Sequence, residues 1–405
     1  MLSGRDIVLI SSIDWNFLWQ VPQEIALRLA RAGNRVLFVE NTGVRIPLPG
    51  DLGRVRTRLR RWMESRSTQG APEVAPGIYL CSPIVLPPFG PAWRRDVNRR
   101  LFLPQVSRAA ERLGMRDPLL WTFLPTDSAN EIIRWLRTER GLVIYHCAAD
   151  FSLLTPYADS LMRSERMLLE QCDLVFTTCD ELTRHCSAAN RNVHICPHGV
   201  DLSAFLPATE IPGQASVSGA LRDYRQLVAS VPHPIIGYVG GLHHFVDFDL
   251  LGRIARSRPK WSWVFVGPEQ ASAEAIAGLP NVHLLGQQPH ADLVRYIQTF
   301  DVGIVPYVKS PHTRTVVPVK INEYLAVGRP VVATDLAAVL DFNRKHDVLI
   351  TAENQPAPFL GAIEQALSTA QDPVMCDRRR AVAAQYDWPA RIEVMSSLIE
   401  ARLRS

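Results

Sequence analysis

The sequence predicts an α/β protein made of two Rossmann-like parallel-sheet domains in series, with a last helix crossing back. Three observations predict this. Residues 7–40 alternate strand, helix and strand patterns, and a βαβ unit implies a parallel sheet with crossover helices. Pro207, Thr209, Pro212, Gly213, Ser216, Ser218 and Gly219 then break the alternation, as in a linker. A second α/β series opens at Ile235. The expected bounds are 1–200 for the first domain, 201–230 for the linker, 231–385 for the second domain and 386–405 for the tail helix. Two such halves place a cleft between the carboxyl ends of their sheets, where α/β sites gather.

The elements follow in order. Ile7–Ser11 is an apolar run. Pro22–Ala32 carries Ile25, Ala26, Leu29 and Ala30 on one helical face, Gly33-Asn34 stops it, and Arg35–Glu40 is the next strand. Further strands read at Gly77–Cys81, Leu119–Phe123, Leu142–Cys147, Leu174–Thr178 and Val193–Cys196. Helices read near Arg95–Leu113, Ser128–Arg137, Ala158–Gln171 and Asp180–Ala189. In the second series, strands read at Ile235–Val239, Trp263–Val266, Val282–Leu284, Val302–Pro306, Val331–Thr334 and Val348–Ile350. Helical patterns there cover Leu250–Ser257, Asp292–Ile297 and Val319–Val327, and Pro389–Leu403 is amphipathic.

With 405 residues, 47% hydrophobic and 21% charged, the chain has ample material for two cores. No apolar run approaches the ~20 residues that span a bilayer. Met1–Asp6 leads straight into a strand without a signal-peptide pattern, so a cytoplasmic protein is expected. Cys172, Cys179, Cys186 and Cys196 lie near His185, His194 and His198, but without a CxxC pair they fit no standard zinc spacing. Reduced, partly buried thiols are expected, and no metal site.

Net charge is +4, unevenly spread. Arg54, Arg56, Arg58, Arg60, Arg61 and Arg66 crowd one segment. Arg94, Arg95, Arg99, Arg100, Arg108, Arg112 and Arg116 form a second, interleaved with Trp93, Leu101, Phe102 and Leu103. These are either solvated faces or a patch for anionic lipid headgroups at the inner face of the membrane. No nucleic-acid motif accompanies them.

The most informative stretch is Pro318 to Thr334. Pro318 suits a first helical turn, Gly328 stops the helix and Val331-Val332-Ala333 resumes as a strand. Lys320 and Glu323 share a helical face. A Lys at such an N-terminus can meet a phosphate, and a carboxylate one turn on can accept two sugar hydroxyls. Each has a plainer reading as an ordinary surface residue.

At this point the chain resembles the GT-B glycosyltransferases, in their retaining, family-4-like branch. The segment Ser11 to Gln23 looks like the first loop of bacterial polysaccharide and teichuronic-acid-type transferases. Pro197-His198-Gly199-Val200-Asp201 is similar to the family's junction. Gly237-Tyr238-Val239-Gly240-Gly241-Leu242, Pro280–Gly286 and the Lys320–Thr334 run resemble its donor domain. Two features depart from the pattern. Gly241 stands where the family has Arg, and the first acid of its two-carboxylate motif is replaced by Thr315.

The resemblance implies transfer of a sugar from a UDP- or GDP-sugar to an acceptor hydroxyl, on a saccharide or lipid-linked saccharide, with retention and without a metal or other cofactor. The cation then comes from Lys320, Arg314 or Lys309, helped by N–H groups at Gly240, Gly241 and Val319. His243 or His244 would line the donor site. In the first domain, His146 and Asp150 follow the apolar run Leu142–Tyr145 and Asp127 follows Leu119–Phe123, so all three stand at carboxyl strand ends. Asp150 could accept the acceptor's proton or cap the next helix. Asp14, Trp15 and Phe17, with Trp19, occupy the first loop, where aromatics could stack on an acceptor or pack beneath the loop. Other readings are an inverting transferase, a nucleotide-sugar epimerase, or a degenerate transferase acting as a scaffold.

Overall fold

The computed structural model describes residues 1–40, 71–83, 85, 92–205 and 230–404. The Arg54–Arg66 cluster and most of the expected linker lie outside the described residues. The chain divides into two units, Met1–Pro197 with Arg391–Ser405, and His198–Ala390.

The first unit holds one sheet, built from β1 (Asp6–Ile10), β2 (Arg35–Val39), β3 (Glu73–Ala75), β4 (Ile78–Cys81), β5 (Leu119–Thr122), β6 (Val143–Cys147), β7 (Leu174–Thr177) and β8 (Val193–Ile195). Their order is β3-β4-β2-β1-β5-β6-β7-β8, and only the β3–β4 pair is antiparallel. Ile7 faces Val36 on one side and Leu119 on the other. Ile7–Ile10 are fully buried. Strands of a parallel sheet covered on both faces are apolar throughout, which is why they read as continuous runs. The helices are α1 (Val21–Arg31), α2 (Ala92–Arg112), α3 (Asp127–Leu136), α4 (Ala158–Gln171) and α5 (Asp180–Ser187). Gln20 and Gln23 form a capping box at the start of α1, satisfying N–H groups that the first turn leaves open. The Thr126 hydroxyl accepts from Ala129 N to start α3.

Behind β6, the Tyr145 hydroxyl donates to Glu165 (2.7 Å), and His185 Nε2 lies 3.0 Å from the other Glu165 oxygen. The Glu165 carboxylate lifts the His185 pKa from 6.5 to about 9, against an opposing effect of burial. A His pKa raised by folding stabilises fully below the unfolded value and is lost as pH rises through the folded one. The Tm advantage of the wild type over His185→Gln is therefore expected to hold at pH 6 and to vanish by pH 10. His185 is half exposed, so solvent screening keeps the gap small. A gap that does not change with pH would refute the pairing.

The second unit holds β9 (Ile235–Val239), β10 (Ser262–Val266), β11 (Val282–Leu284), β12 (Val302–Val305), β13 (Val331–Thr334) and β14 (Leu349–Ala352), all parallel, in the order β11-β10-β9-β12-β13-β14. This is the doubly wound arrangement, in which the order reverses between the first and fourth strands and leaves a crevice at their carboxyl ends. The helices are α6 (Leu202–Phe205), α7 (Phe248–Ser257), α8 (Leu293–Thr299), α9 (Lys320–Ala326), α10 (Ala337–His346), α11 (Pro356–Ser368) and α12 (Pro373–Ala384); α13 (Trp388–Arg404), which from Arg391 on belongs to the first unit, closes the chain. The sequence patterns above do not place α10, α11 or α12. Pro356 and Pro373 look like breakers, yet each sits in a first helical turn, where a missing N–H costs nothing.

Arg379 on α12 is buried. Its guanidinium donates to the carbonyls of Gly328 and Thr369 (both 3.2 Å) and to the Thr369 hydroxyl (2.9 Å). It thus fastens the turn that ends α9. From the other side, Tyr324 on α9 accepts from Val239 N at 2.9 Å, and Asn322 donates to the carbonyl of His198. Three side-chain bonds therefore fix the short helix that carries Lys320 and Glu323. Among the described residues no helix is long and apolar enough to cross a membrane.

Candidate functional site

The site of the second unit lies where its strand order reverses. β9 ends at Val239, followed by Gly240 and Gly241, while β12 is followed by Pro306 and Tyr307. Lys320 reaches this point from α9. Its side chain is buried, and its ammonium donates to Tyr307 Oη (2.6 Å) and Tyr238 Oη (3.0 Å). It also lies over both rings, 4.2 Å from the Tyr238 centroid and 4.9 Å from that of Tyr307. Burial holds the Tyr238 phenol well above its usual pKa, so it stays protonated and donates to the Gly241 carbonyl (3.0 Å).

Gly240 has φ +121°, and a Cβ there would sit 3.2 Å from Lys320 Nζ. A side chain would meet both a strained backbone and the cation. Lys320 therefore brings positive charge from α9 to the Gly240 backbone, next to position 241, where the resembled family has an arginine.

Glu323, one turn on, is half-buried. Burial raises its pKa, with His290 and Lys320 pulling it down. Among the described residues no group donates a hydrogen bond to its carboxylate, which leaves its oxygens for ligand hydroxyls. The helix N-terminus contributes less than the sequence suggests. α9 runs for only seven residues. The Ile321 and Asn322 N–H groups already bond Pro318 O and Val319 O, so the expected anion cradle at Val319 is largely spent.

His243 sits against Phe245 and Tyr307, with ring centroids 4.5 and 5.7 Å away. Its Nδ1 accepts from Phe245 N (3.2 Å). Burial, with the Lys320 charge and the neighbouring imidazoles, drops its pKa to about 3. It is thus a neutral imidazole with its proton at Nε2, a donor rather than a cation. Arg314 is exposed, and Lys309 is paired with Asp335 (2.6 Å). Of the three candidate cations, only Lys320 is set into the crevice. Asp247 caps α7 by accepting from Leu250 N at 2.8 Å.

In the first unit the strand order reverses between β1 and β5, and the loop after β1 is built as a fixed platform. The Gln23 amide donates to the carbonyls of Asp14, Trp15 and Leu18. Buried Glu40 accepts from Trp15 N (2.9 Å) and the Ser82 hydroxyl (2.6 Å). Trp15 packs edge-on against Phe38 and Trp19, and the Trp19 indole donates to Glu24. Phe17 remains half-buried beside them. The sequence reading missed Gln23 and Glu40, which hold this loop.

The remaining candidates fall elsewhere. β6 runs through Cys147, so His146 lies inside the strand rather than beyond its end. It is 2% exposed and stacks on Phe123 (4.8 Å) and Trp121 (6.2 Å). That is a core position, closed to an acceptor. Asp150 accepts from Ser152 N (3.0 Å) and the Ser152 hydroxyl (2.6 Å), capping the turn Phe151–Leu154. Asp127 opens α3 and lies 4.0 Å from Arg95. All seven cysteines are free thiols, six of them buried. Among the described residues no three His, Cys, Asp or Glu side chains group as metal ligands.

The chain is similar to several known proteins. Residues 233–369 match the family described as glycosyl transferases group 1. TuaH of Bacillus subtilis (strain 168), whose name assigns it to teichuronic acid biosynthesis as a glycosyltransferase, is 27% identical over 292 residues, covering 68% of this chain and 70% of its own. Anabaena Alr3699/HepE in complex with UDP superposes with a TM-score of 0.67 at 14% identity, over 98% of this chain and 100% of that one. WaaG, a glycosyltransferase involved in lipopolysaccharide biosynthesis, gives 0.64 at 14% identity, over 97% and 99%. At such identities the likeness is one of fold. The chain has the GT-B fold, and residues 233–369, within its second unit, match the glycosyl transferases group 1 family.

Proposed function

We propose that this protein transfers a sugar from a UDP-sugar to a hydroxyl of a saccharide or lipid-linked saccharide during cell-surface polysaccharide synthesis, with retention of configuration. One observation carries the donor half. Lys320 and Glu323 stand one turn apart beside the β9–β12 crevice, the first without a carboxylate ion pair among the described residues, the second with unbonded oxygens. The ammonium offsets charge as the bond from the anomeric carbon to the diphosphate oxygen breaks. Glu323 accepts the ribose hydroxyls. His243 donates to the sugar or diphosphate, and the backbone at Gly240 and Gly241 lies close to the phosphates. The acceptor hydroxyl oxygen bonds the anomeric carbon as that carbon's bond to the diphosphate oxygen breaks, and the hydroxyl proton passes to the departing diphosphate oxygen.

UDP rather than GDP is favoured because HepE was crystallised with UDP and UDP-glucose. The teichuronic acid and lipopolysaccharide assignments of TuaH and WaaG favour a cell-surface acceptor. The cation beside Gly240 stands in for the arginine absent at 241, which favours an active enzyme over a degenerate scaffold. In the first unit, the loop holding Asp14, Trp15 and Phe17 is the acceptor platform, and Asp150 and Asp127 are its candidate polar contacts.

A membrane surface fits α2. Trp93 and Trp135 are 56% and 58% exposed, and a groove of about 540 Å³ is lined by Arg99, Arg100, Arg108 and Trp135 beside Asp96 and Glu111. Salt-sensitive sedimentation with anionic liposomes, lost on Arg100→Ser with Arg108→Ser, tests this.

A donor panel scored by nucleoside diphosphate release tests the main proposal. UDP-sugars are expected to turn over, and the product's anomeric configuration reads out retention. No release from any donor, together with no nucleotide binding, overturns it.

A further inference from the structure

Lys320 is held in an unusual way. A buried ammonium ordinarily costs several kcal/mol unless a carboxylate neutralises it. Here the partners are two neutral phenols and their ring faces. Tyr238 gives its own proton to Gly241 O, so its oxygen lone pairs are turned to Lys320. Tyr307 supplies the second acceptor. An ammonium has three N–H donors, and among the described residues the third has no acceptor. It emerges beside Gly240, where no side chain intervenes. Tyr238 lies on β9 and Tyr307 just beyond β12, so the two phenols flank the point where the strand order reverses.

We propose that Tyr238 and Tyr307 are positioning residues that hold Lys320 as an unneutralised cation aimed at the donor's diphosphate, and that they thereby set the site's preference for a diphosphate over the bare nucleoside. The proposal rests on the donor assignment of this same site and deepens it. A carboxylate at either position would hold the ammonium equally well but cancel the field that a diphosphate needs. A phenol fixes the direction of the N–H bonds and leaves the charge in place. The ring faces add attraction for the cation without a counter-charge.

Calorimetric titration of the full chain with UDP and with uridine, and with GDP and guanosine, tests it. The wild type is expected to bind the diphosphate far more tightly than the nucleoside. Tyr307→Phe and Tyr238→Phe keep the rings and each remove one hydrogen bond to a charged group. Each is expected to narrow the diphosphate-to-nucleoside ratio about 10-fold while nucleoside affinity stays within about 2-fold. Lys320→Met should close the gap. An unchanged ratio in both phenylalanine variants overturns the proposal and leaves the donor assignment standing. Parallel loss of nucleoside affinity also overturns it, since that marks general damage to the fold. A wild type that binds no nucleotide removes the donor assignment and this inference together.

Discussion

Lys320→Met is expected to lower kcat for donor turnover by about 10²–10³-fold, the usual loss when one preorganised electrostatic group is removed from developing charge. The fold should survive. Methionine has a similar length and reach, and it can lie between the rings of Tyr238 and Tyr307 with favourable sulfur–aromatic contact. Replacing a buried, unneutralised charge with an apolar side chain is often neutral or stabilising. The expected result is thus a large loss of nucleoside diphosphate release with an unchanged or higher Tm. Near-normal turnover in a folded variant would remove Lys320 from the chemistry. A sharp drop in Tm would make it a structural lysine instead.

Gly267→Ala is expected to destabilise the protein by about 3 kcal/mol and to raise the donor KM with it. Gly267 follows β10 with φ +154°. A Cβ there would overlap the Gly240 carbonyl oxygen and lie 2.6 Å from its carbon. The two loops are already bonded at fixed spacing, with Gly240 N donating to Val266 O and Gly267 N to Gly286 O, both at 2.8 Å. The added methyl can be housed only by moving the backbone on which Lys320 borders. Denaturant unfolding reads the stability cost, and the shift in KM reads the displacement of the site. Wild-type values for both would show that the loops are loosely set.

Much of this architecture is legible in the residue pattern. Doubly covered parallel strands such as Ile7–Ile10 must be apolar on both faces, so they stand out as short runs. Pro318 and Gly328 bracket α9, and the spacing of Lys320 and Glu323 puts both on one helical face. The seat of Lys320 is not legible. Tyr238 and Tyr307 lie 82 and 13 residues from it, and only the strand order brings them together. His146 shows the converse failure. A histidine near a strand's end looks like a site residue, but the strand continues through Cys147 and packs it against Phe123 and Trp121. The prolines that open α11 and α12 hide those helices, because the same residue marks a start or a stop depending on its place in the turn.

Arg379 has a practical consequence for anyone who would express the second unit alone. The recognisable domain stops at residue 369, ten positions short of the guanidinium that clasps the Gly328 carbonyl. A fragment trimmed to that boundary would end α9 on an untied turn and leave the Lys320 helix loose at its far end. The useful cut lies beyond α12, and the apparent trailing segment is part of the instrument that aims the cation.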